Sequence, residues 1–318
     1  MMSAVMRIVI PEVMDAAAVE WLRVRHDVVY EPTLVEHRAS TLAAAADAHA
    51  LIVKNMTRVD EALLVVAKEL RAIGRLGAGL DNIDLEACKK RGIAVFPAAG
   101  ANARSVAEYV ICTMLMLMRP GLYTSTAQVA AGDWPQKHVR NGHELDGKTL
   151  GIVAMGAIGQ VVARIAGCLG MHLLGCDPLR APDDPVFREL GVERVELDEL
   201  LRAADIVTLH VPLTKETQGL IGRAQIASMK KDAVLINASR GGVVDGAALI
   251  AALREGRLGG AAVDVYEQEP LPAGTFYADP PANLLLTPHV GGATRESMER
   301  RSTLVAERVA AYLERSRS

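Results

Sequence analysis

The chain has 318 residues, half of them hydrophobic, with a net charge of −3 and a sequence pI of about 6.3. That is enough apolar chain for about two cored domains. With no long basic block, it excludes a chain-wide nucleic-acid or anionic-membrane binder. Cys88, Cys112, Cys168 and Cys176 form no C-x-x-C pair and sit in apolar or helical contexts, so reduced core thiols are expected. Pro11, Glu12 and Asp15 interrupt any signal-peptide core. The most apolar helical stretch, 106–118, is too short to span a bilayer and contains Glu108. The expectation is a soluble cytoplasmic protein.

Strand and helix patterns alternate from the start. Residues 7–10 read as a strand, and Asp15 caps a helix to about residue 24. A strand at 28–30 and an Ala-rich helix at 37–47 follow. A buried strand at 50–53 ends in Lys54-Asn55-Met56-Thr57, and Asp60 caps the next helix. The strand at 72–76 runs into Gly77-Ala78-Gly79-Leu80-Asp81-Asn82, and a helix at 85–91 and a strand at 93–96 complete a first unit. Repeated βα units with short connections imply a parallel sheet covered on both faces. Because its first strand leads into no nucleotide fingerprint, this unit is assigned to substrate. Residues 102–130 read as a long helix broken at Arg119-Pro120-Gly121. Residues 132–147 form an irregular polar segment with Trp134, Lys137, His138, Arg140 and His143, suited to an interface arm or an active-site cover.

The stretch 149–177 is the most informative. An apolar run at 150–154 breaks into a Gly-containing turn. A helical pattern follows through Ile158, Val161, Val162, Ile165, Ala166 and Leu169, and a second apolar run ends at Asp177. Strand, turn, helix, strand and acid make up a dinucleotide-binding βαβ unit. Backbone N–H groups at the helix start suit a pyrophosphate. Gly156 permits close approach and Gly159 lets the helix lie near the strand. Asp177, 21 residues beyond Gly156, suits ribose hydroxyls and would repel a 2′-phosphate, favouring NAD over NADP. The fingerprint's first glycine is replaced by Ala154, since Gly151 lies inside the strand. Alanine fits there with negative φ, at a small loss of backbone freedom. Further strands are expected near 206–210, 234–237 and 260–264. An amphipathic final helix at 294–315, with Met298, Leu304, Val305, Val309 and Leu313 on one side, is suited to crossing back onto the first domain.

An ordered set of motifs spans nearly the whole chain. It comprises Gly74-Arg75-Leu76-Gly77-Ala78-Gly79-Leu80-Asp81-Asn82-Ile83-Asp84, Asn102-x-x-Ser105-Val106-Ala107-Glu108, the nucleotide turn, and Leu209-His210-Val211-Pro212-Leu213-Thr214. It continues with Asn237-Ala238-Ser239-Arg240-Gly241-Gly242, Asp264-Val265-Tyr266-Glu267-Gln268-Glu269-Pro270 and Pro288-His289-Val290-Gly291-Gly292-Ala293-Thr294. In these motifs the chain resembles the D-isomer-specific 2-hydroxyacid dehydrogenases, most closely the phosphoglycerate dehydrogenase branch. The resemblance implies an α/β fold of two doubly wound parallel-sheet domains. A flavodoxin-like substrate domain would take 1–101 and 288–318, and a Rossmann NAD domain 102–287. It also implies a homodimer joined through the NAD domains and, because the chain stops at Ser318, no regulatory domain after the core.

The reaction so implied moves a hydride between C2 of a 2-hydroxyacid and nicotinamide. His289 would be the general acid/base, with Glu269 on its other ring nitrogen and Glu267 as the nearby decoy. Arg240 would clamp the substrate carboxylate with two guanidinium donors. Each has an ordinary structural use as well: a surface histidine, a solvated loop acid, a salt-bridging arginine. The resemblance adds cofactor contacts from Val106, Gly156, Ala157, Ile158, Gly159, Asp177, His210, Pro212, Ala238, Asp264 and Gly291, with Asp264 on the carboxamide. Backbone N–H groups of Ala78 and Gly79 would help hold the carboxylate. Lys54 and Arg75 fall where phosphoglycerate dehydrogenases place basic residues, so a second anionic group, phosphate or sulfonate, is expected on the substrate. Lys54 stands where arginine is common and offers a point charge rather than a fork, which weakens the case for phosphate. The other histidines show no metal-ligand spacing, so no catalytic metal is expected. Two alternatives stay open: a hydroxypyruvate/glyoxylate reductase, and a nucleotide-sensing interaction module like the C-terminal-binding-protein corepressors, which share the core.

Overall fold

The structure, a computed structural model, describes residues 5–119, 121, 125–139 and 141–315. The chain divides into two compact units. Unit 1 takes the described residues up to Asn102 and again from Ala293, and unit 2 takes Ala103–Gly292.

Unit 1 holds five strands, β1 (Arg7–Ile10), β2 (Asp27–Tyr30), β3 (Ala50–Val53), β4 (Ala72–Arg75) and β5 (Ala94–Pro97). They pair in parallel in the order β2-β1-β3-β4-β5, the flavodoxin-like arrangement. Alternation along β1 sends Ile8 and Ile10 into one buried layer and Val9 into the other. Asp15, Asp60 and Asp84 each cap a helix by accepting a backbone N–H three residues on. The final helix, Arg295–Arg315, buries Ser297, Arg301, Val305, Val309 and Leu313 at every fourth position. It lies against β4 so closely that a Cβ on Gly74 would stand 2.4 Å from Val305 Cγ1.

Unit 2 holds β6 (Thr149–Val153), β7 (His172–Cys176), β8 (Val192–Arg194), β9 (Ile206–Leu209), β10 (Val234–Asn237), β11 (Gly260–Val263) and β12 (Leu284–Leu286). Their order is β12-β11-β10-β9-β6-β7-β8, all parallel. Connections leave β6 toward β7 and β8 on one side and toward β9 on the other, so the switch point falls between β6 and β9. The short strands β8 and β12 have no counterpart in the sequence reading, because three residues give too little alternation to detect.

The break expected within 102–130 is found, with helices at Ala103–Met118 and Ser125–Ala130, and Pro120 lies outside the described residues. Two expectations are corrected. The chain leaves unit 2 after Gly292 rather than after Thr287, because buried Asp264 holds the backbone of Val290 and Gly291 in that unit. Of the four cysteines, Cys88 and Cys176 are buried but Cys112 and Cys168 are exposed, on the outer faces of their helices. In the polar segment Trp134 is exposed and residues 136–139 form a helical turn, while Arg140 lies outside the described residues. Among the described residues no helix is long and apolar enough to cross a membrane.

Candidate active site

The turn after β6 departs from its expected backbone. Ala154 adopts φ +74°, in the left-handed region, not the negative φ anticipated for alanine. Its N–H is tied to the Cys176 carbonyl at 2.8 Å, and its own carbonyl would lie 2.3 Å from a Cβ on Gly159. Gly159 therefore permits the close approach of the helix Ala157–Cys168, whose N-cap is Gly156. A Cβ on Gly156 would meet nothing within 4 Å, so open space lies over the helix N-terminus where a pyrophosphate would sit. Ala157 is exposed and Ile158 half-buried there. Asp177 accepts the Met155 N–H at 2.9 Å and the Leu179 N–H at 3.0 Å. Arg180, absent from the sequence reading, stands 3.6 Å from that carboxylate and donates to the Met155 carbonyl. After β9, burial pushes His210 down to about 3, so its ring is neutral. Nε2 meets Thr208 Oγ1 at 3.1 Å, and Nδ1 is a buried nitrogen without a hydrogen-bond partner among the described residues. The open turn, the acid and this orphaned nitrogen all fit a bound dinucleotide.

The strand-end residues Arg240, Asp264 and His289 follow β10, β11 and β12, on the carboxyl edge of the same parallel sheet. Buried Asn237 shapes the Arg240 turn: its Oδ1 accepts from Ser239 and its Nδ2 donates to the Arg240 carbonyl at 3.0 Å. Arg240 Nη1 donates to the Ser239 carbonyl at 2.6 Å. His289 Nδ1 meets Glu269 Oε2 at 2.7 Å, and Glu269 Oε1 accepts the Tyr266 N–H at 3.0 Å. A carboxylate acceptor puts the proton on Nδ1 and leaves Nε2 for chemistry. Burial pushes the Glu269 carboxyl up. The His289 and Tyr266 hydrogen bonds, with the charges of His289 and Arg240, outweigh it and leave the group below the ordinary range. Glu267 is exposed, and it is Glu269 that contacts the histidine.

Asp264 has a role the sequence did not suggest. It is 1% exposed, and its oxygens accept from Thr287 Oγ1 at 2.6 Å, Val290 N–H at 2.8 Å and Gly291 N–H at 2.8 Å. The Thr287 proton goes to Asp264, so the Tyr109 hydroxyl donates to Thr287 at 2.7 Å. Burial, first of all, pushes that tyrosine hydroxyl well above its usual range. This network ties down the residues on both sides of His289, which has φ +56°. Val106 is buried in the helix Ala103–Met118, Ala238 is half-buried beside β10, and Pro212 is exposed.

Unit 1 gathers a separate set. Val53 and Arg75 are register partners at the ends of β3 and β4, so Lys54 leaves β3 one residue beyond the partner of Arg75, near enough for the Arg75 charge to lower its titration. A Cβ on Gly77 would lie 1.8 Å from Arg75 Nη1, so the guanidinium rests against the loop that contains Ala78 and Gly79. Glu12, buried and overlooked in the sequence, accepts the N–H groups of Lys54, Met56 and Thr57 at 2.8, 3.1 and 3.0 Å. Lys54 titrates below its ordinary range because of burial and the charge of Arg301, against Glu12, with Arg75 adding to the lowering. Among the described residues no group of three or more His, Cys, Asp or Glu could hold a metal ion.

Residues 111–291 match the family model for the D-isomer specific 2-hydroxyacid dehydrogenase, NAD binding domain. The chain is 48% identical to the (S)-sulfolactate dehydrogenase of Chromohalobacter salexigens, over 95% of this chain and 96% of that one. It is 42% identical to the D-3-phosphoglycerate dehydrogenase of Methanocaldococcus jannaschii over 83% of its length, but spans only 49% of that longer protein. Its fold resembles the D-lactate dehydrogenase of Aquifex aeolicus, solved with NAD and lactic acid. The TM-score is 0.84 at 29% identity, covering 96% of this chain and 95% of that one.

Proposed function

The chain belongs to the D-isomer specific 2-hydroxyacid dehydrogenase family and is an NAD-dependent oxidoreductase, and we propose that its substrate is a 2-hydroxyacid bearing a sulfonate on C3, 3-sulfolactate. The observation that carries this reading is the pair Lys54 and Arg75 at adjacent strand ends of unit 1, in a chain 48% identical over 95% of its length to a protein named for that substrate. A lysine supplies a point charge, which suits a singly charged sulfonate better than a bidentate phosphate contact.

In unit 1, Lys54 and Arg75 hold the sulfonate, and the Ala78 and Gly79 N–H groups offer donors to the carboxylate. In unit 2, Arg240 presents a guanidinium fork to the carboxylate. His289 Nε2 takes the hydroxyl proton as C2 gives up its hydride, and Glu269 on Nδ1 orients the ring and stabilises the imidazolium that forms. NAD, when bound, accepts that hydride. The turn from Gly156 to Gly159 takes the pyrophosphate and Asp177 the ribose hydroxyls. Val106, His210, Pro212, Ala238, Asp264 and Gly291 line the rest of the cofactor site. The product is the 2-oxoacid, 3-sulfopyruvate, and the proton leaves His289 to water. We further assign a cytoplasmic homodimer joined through unit 2, a reading supported by the exposed apolar side chains of Leu115, Val129 and Trp134 in that unit.

The test is NADH formation with 3-sulfolactate, 3-phosphoglycerate, glycerate, lactate and malate. Turnover concentrated on 3-sulfolactate is expected. A preference for glycerate or lactate would remove the sulfonate from the reading and leave a general 2-hydroxyacid dehydrogenase.

A further inference from the structure

The final helix carries a guanidinium where its pattern calls for an apolar side chain. Positions 297, 301, 305, 309 and 313 form one buried stripe, and four of them are Ser297, Val305, Val309 and Leu313. The fifth is Arg301, 7% exposed. Its place is fixed by the packing just below it. Val305 fills the space left by Gly74 in β4, and one turn earlier Arg301 comes level with the strand's exit. There its Nη1 donates to the Leu76 carbonyl at 3.2 Å and its Nε to the Ser297 carbonyl at 3.1 Å.

Leu76 is the residue between Arg75 and Gly77. Its N–H is bonded to the Val53 carbonyl at 2.8 Å, and Lys54 is the next residue after Val53. Three cationic side chains therefore converge on the carboxyl ends of β3 and β4. Glu12 is a carboxylate beside Lys54, and both its oxygens accept backbone N–H groups. Among the described residues Arg301 meets backbone carbonyls and no carboxylate. A buried cation without a counter-charge costs folding energy, and a second beside it costs more. The depressed titration of Lys54, in which Arg301 is the largest charge contribution, agrees with that proximity.

We propose that Arg301 is a specificity-determining residue of the anion subsite in unit 1. Its buried charge selects a substrate whose C3 substituent is an ionised oxyanion over one whose C3 substituent is neutral. It also fixes, through the Leu76 carbonyl, the loop against which Arg75 lies. The inference rests on the reading that the substrate carries a second anion at Lys54 and Arg75.

The experiment compares kcat and KM for 3-sulfolactate and for glycerate in the wild type, Arg301→Gln and Arg301→Lys. NADH binding serves as a control on unit 2. Glutamine keeps a donor for the Leu76 carbonyl and removes the charge, whereas lysine keeps the charge and gives up the fork. Arg301→Gln is expected to lower the ratio of kcat/KM values, sulfolactate over glycerate, by roughly tenfold or more through KM, with NADH binding unchanged. Arg301→Lys is expected to hold that ratio within about threefold. An equal loss on both acids in Arg301→Gln would make Arg301 a structural residue and overturn the inference. Should the glutamine variant fail to fold, Arg301→Lys still decides, because a collapsed ratio there would overturn the assignment to charge. A wild type that prefers glycerate would sink the second-anion reading itself. A wild type that prefers sulfolactate, with the ratio intact in Arg301→Gln, would sink only the role of Arg301.

Discussion

Asp264→Asn separates two roles for one carboxylate. The family resemblance implies that Asp264 meets the nicotinamide carboxamide, and the structure commits its oxygens to Thr287, Val290 and Gly291. Asparagine keeps one acceptor oxygen and puts a donor amide where the second was, so one N–H of the His289 loop faces another donor. One charge-assisted bond is lost and a buried amide is left unpaired, at about 1.5–3 kcal/mol for the bond and about 1–3 kcal/mol for the amide. Partial relaxation of the loop places the expected total near 3 kcal/mol. His289 sits at φ +56°, a conformation worth about 1–3 kcal/mol of strain, so a loosened loop relaxes away from it. A displaced proton-transfer group then lowers kcat on the order of 100-fold. The assays are steady-state oxidation at saturating NAD, NADH affinity by fluorescence, and denaturant unfolding. If kcat stays within about threefold while NADH affinity collapses, the clamp is wrong and the carboxamide role stands.

Ala154→Gly relieves a left-handed alanine and is expected to stabilise the protein by about 1 kcal/mol, read as a higher unfolding midpoint in urea. An unchanged or lower midpoint would mean that the neighbouring bonds, not the Cβ, set the energy of this turn. Glu269 has a depressed folded pKa, so its stabilising contribution is complete above the unfolded carboxyl value and is lost as pH falls through the folded one. The stability gap between wild type and Glu269→Gln should therefore close on acidification, and a gap that persists in strong acid would refute the pairing. Lys54 has a lowered folded pKa, so it gives up its proton at lower pH than a free lysine, and its contribution to stability rises with pH across that window. KM for 3-sulfolactate should climb in the same window while KM for glycerate does not. Lys54→Arg should abolish the climb, and a climb that survives the substitution would move the titration to another group.

Much of this was legible because strand ends are legible. A parallel sheet sends its functional side chains to one edge, so an apolar run followed by Arg240 or Asp264 already fixes sheet and edge. The contact between Glu269 and His289 is one that the family resemblance implied. What escaped is what depends on three-dimensional closure. Glu12 looks like a helix-flanking acid until the 54–57 loop folds over it. Tyr109 and Thr287 are 178 positions apart and meet only in the folded unit. Arg301 lies outside the apolar set read for that helix, and only the packing shows it inside a four-residue buried repeat. Ala154 misled because negative φ is the usual state of alanine, and only the Cys176 bond and the helix seated on its carbonyl show why that state is denied.

Among the described residues the two non-glycine residues with positive φ, Ala154 and His289, both stand on the carboxyl edge of the seven-stranded sheet. Each is held by bonds that its own side chain does not make. Ala154 is pinned through its N–H to Cys176, and His289 through its N–H to the Thr287 carbonyl at 3.0 Å and through the Asp264 bonds to the residues after it. Strain persists only where surrounding structure over-determines it. At Ala154 the conformation shapes the turn that leads into the helix, and glycine would serve as well or better. At His289 the side chain is the purpose, and glycine would relieve the backbone while removing the proton carrier. The same φ therefore predicts opposite outcomes, a gain in stability without cost to turnover at one position and loss of turnover at the other. His289→Gly should relieve the backbone but give up the Glu269 hydrogen bond, so stability is expected to change by no more than about 1 kcal/mol, while NADH formation is abolished and NADH binding is spared. Retained turnover in that variant would remove His289 from the chemistry, and lost NADH binding would move its role to the cofactor.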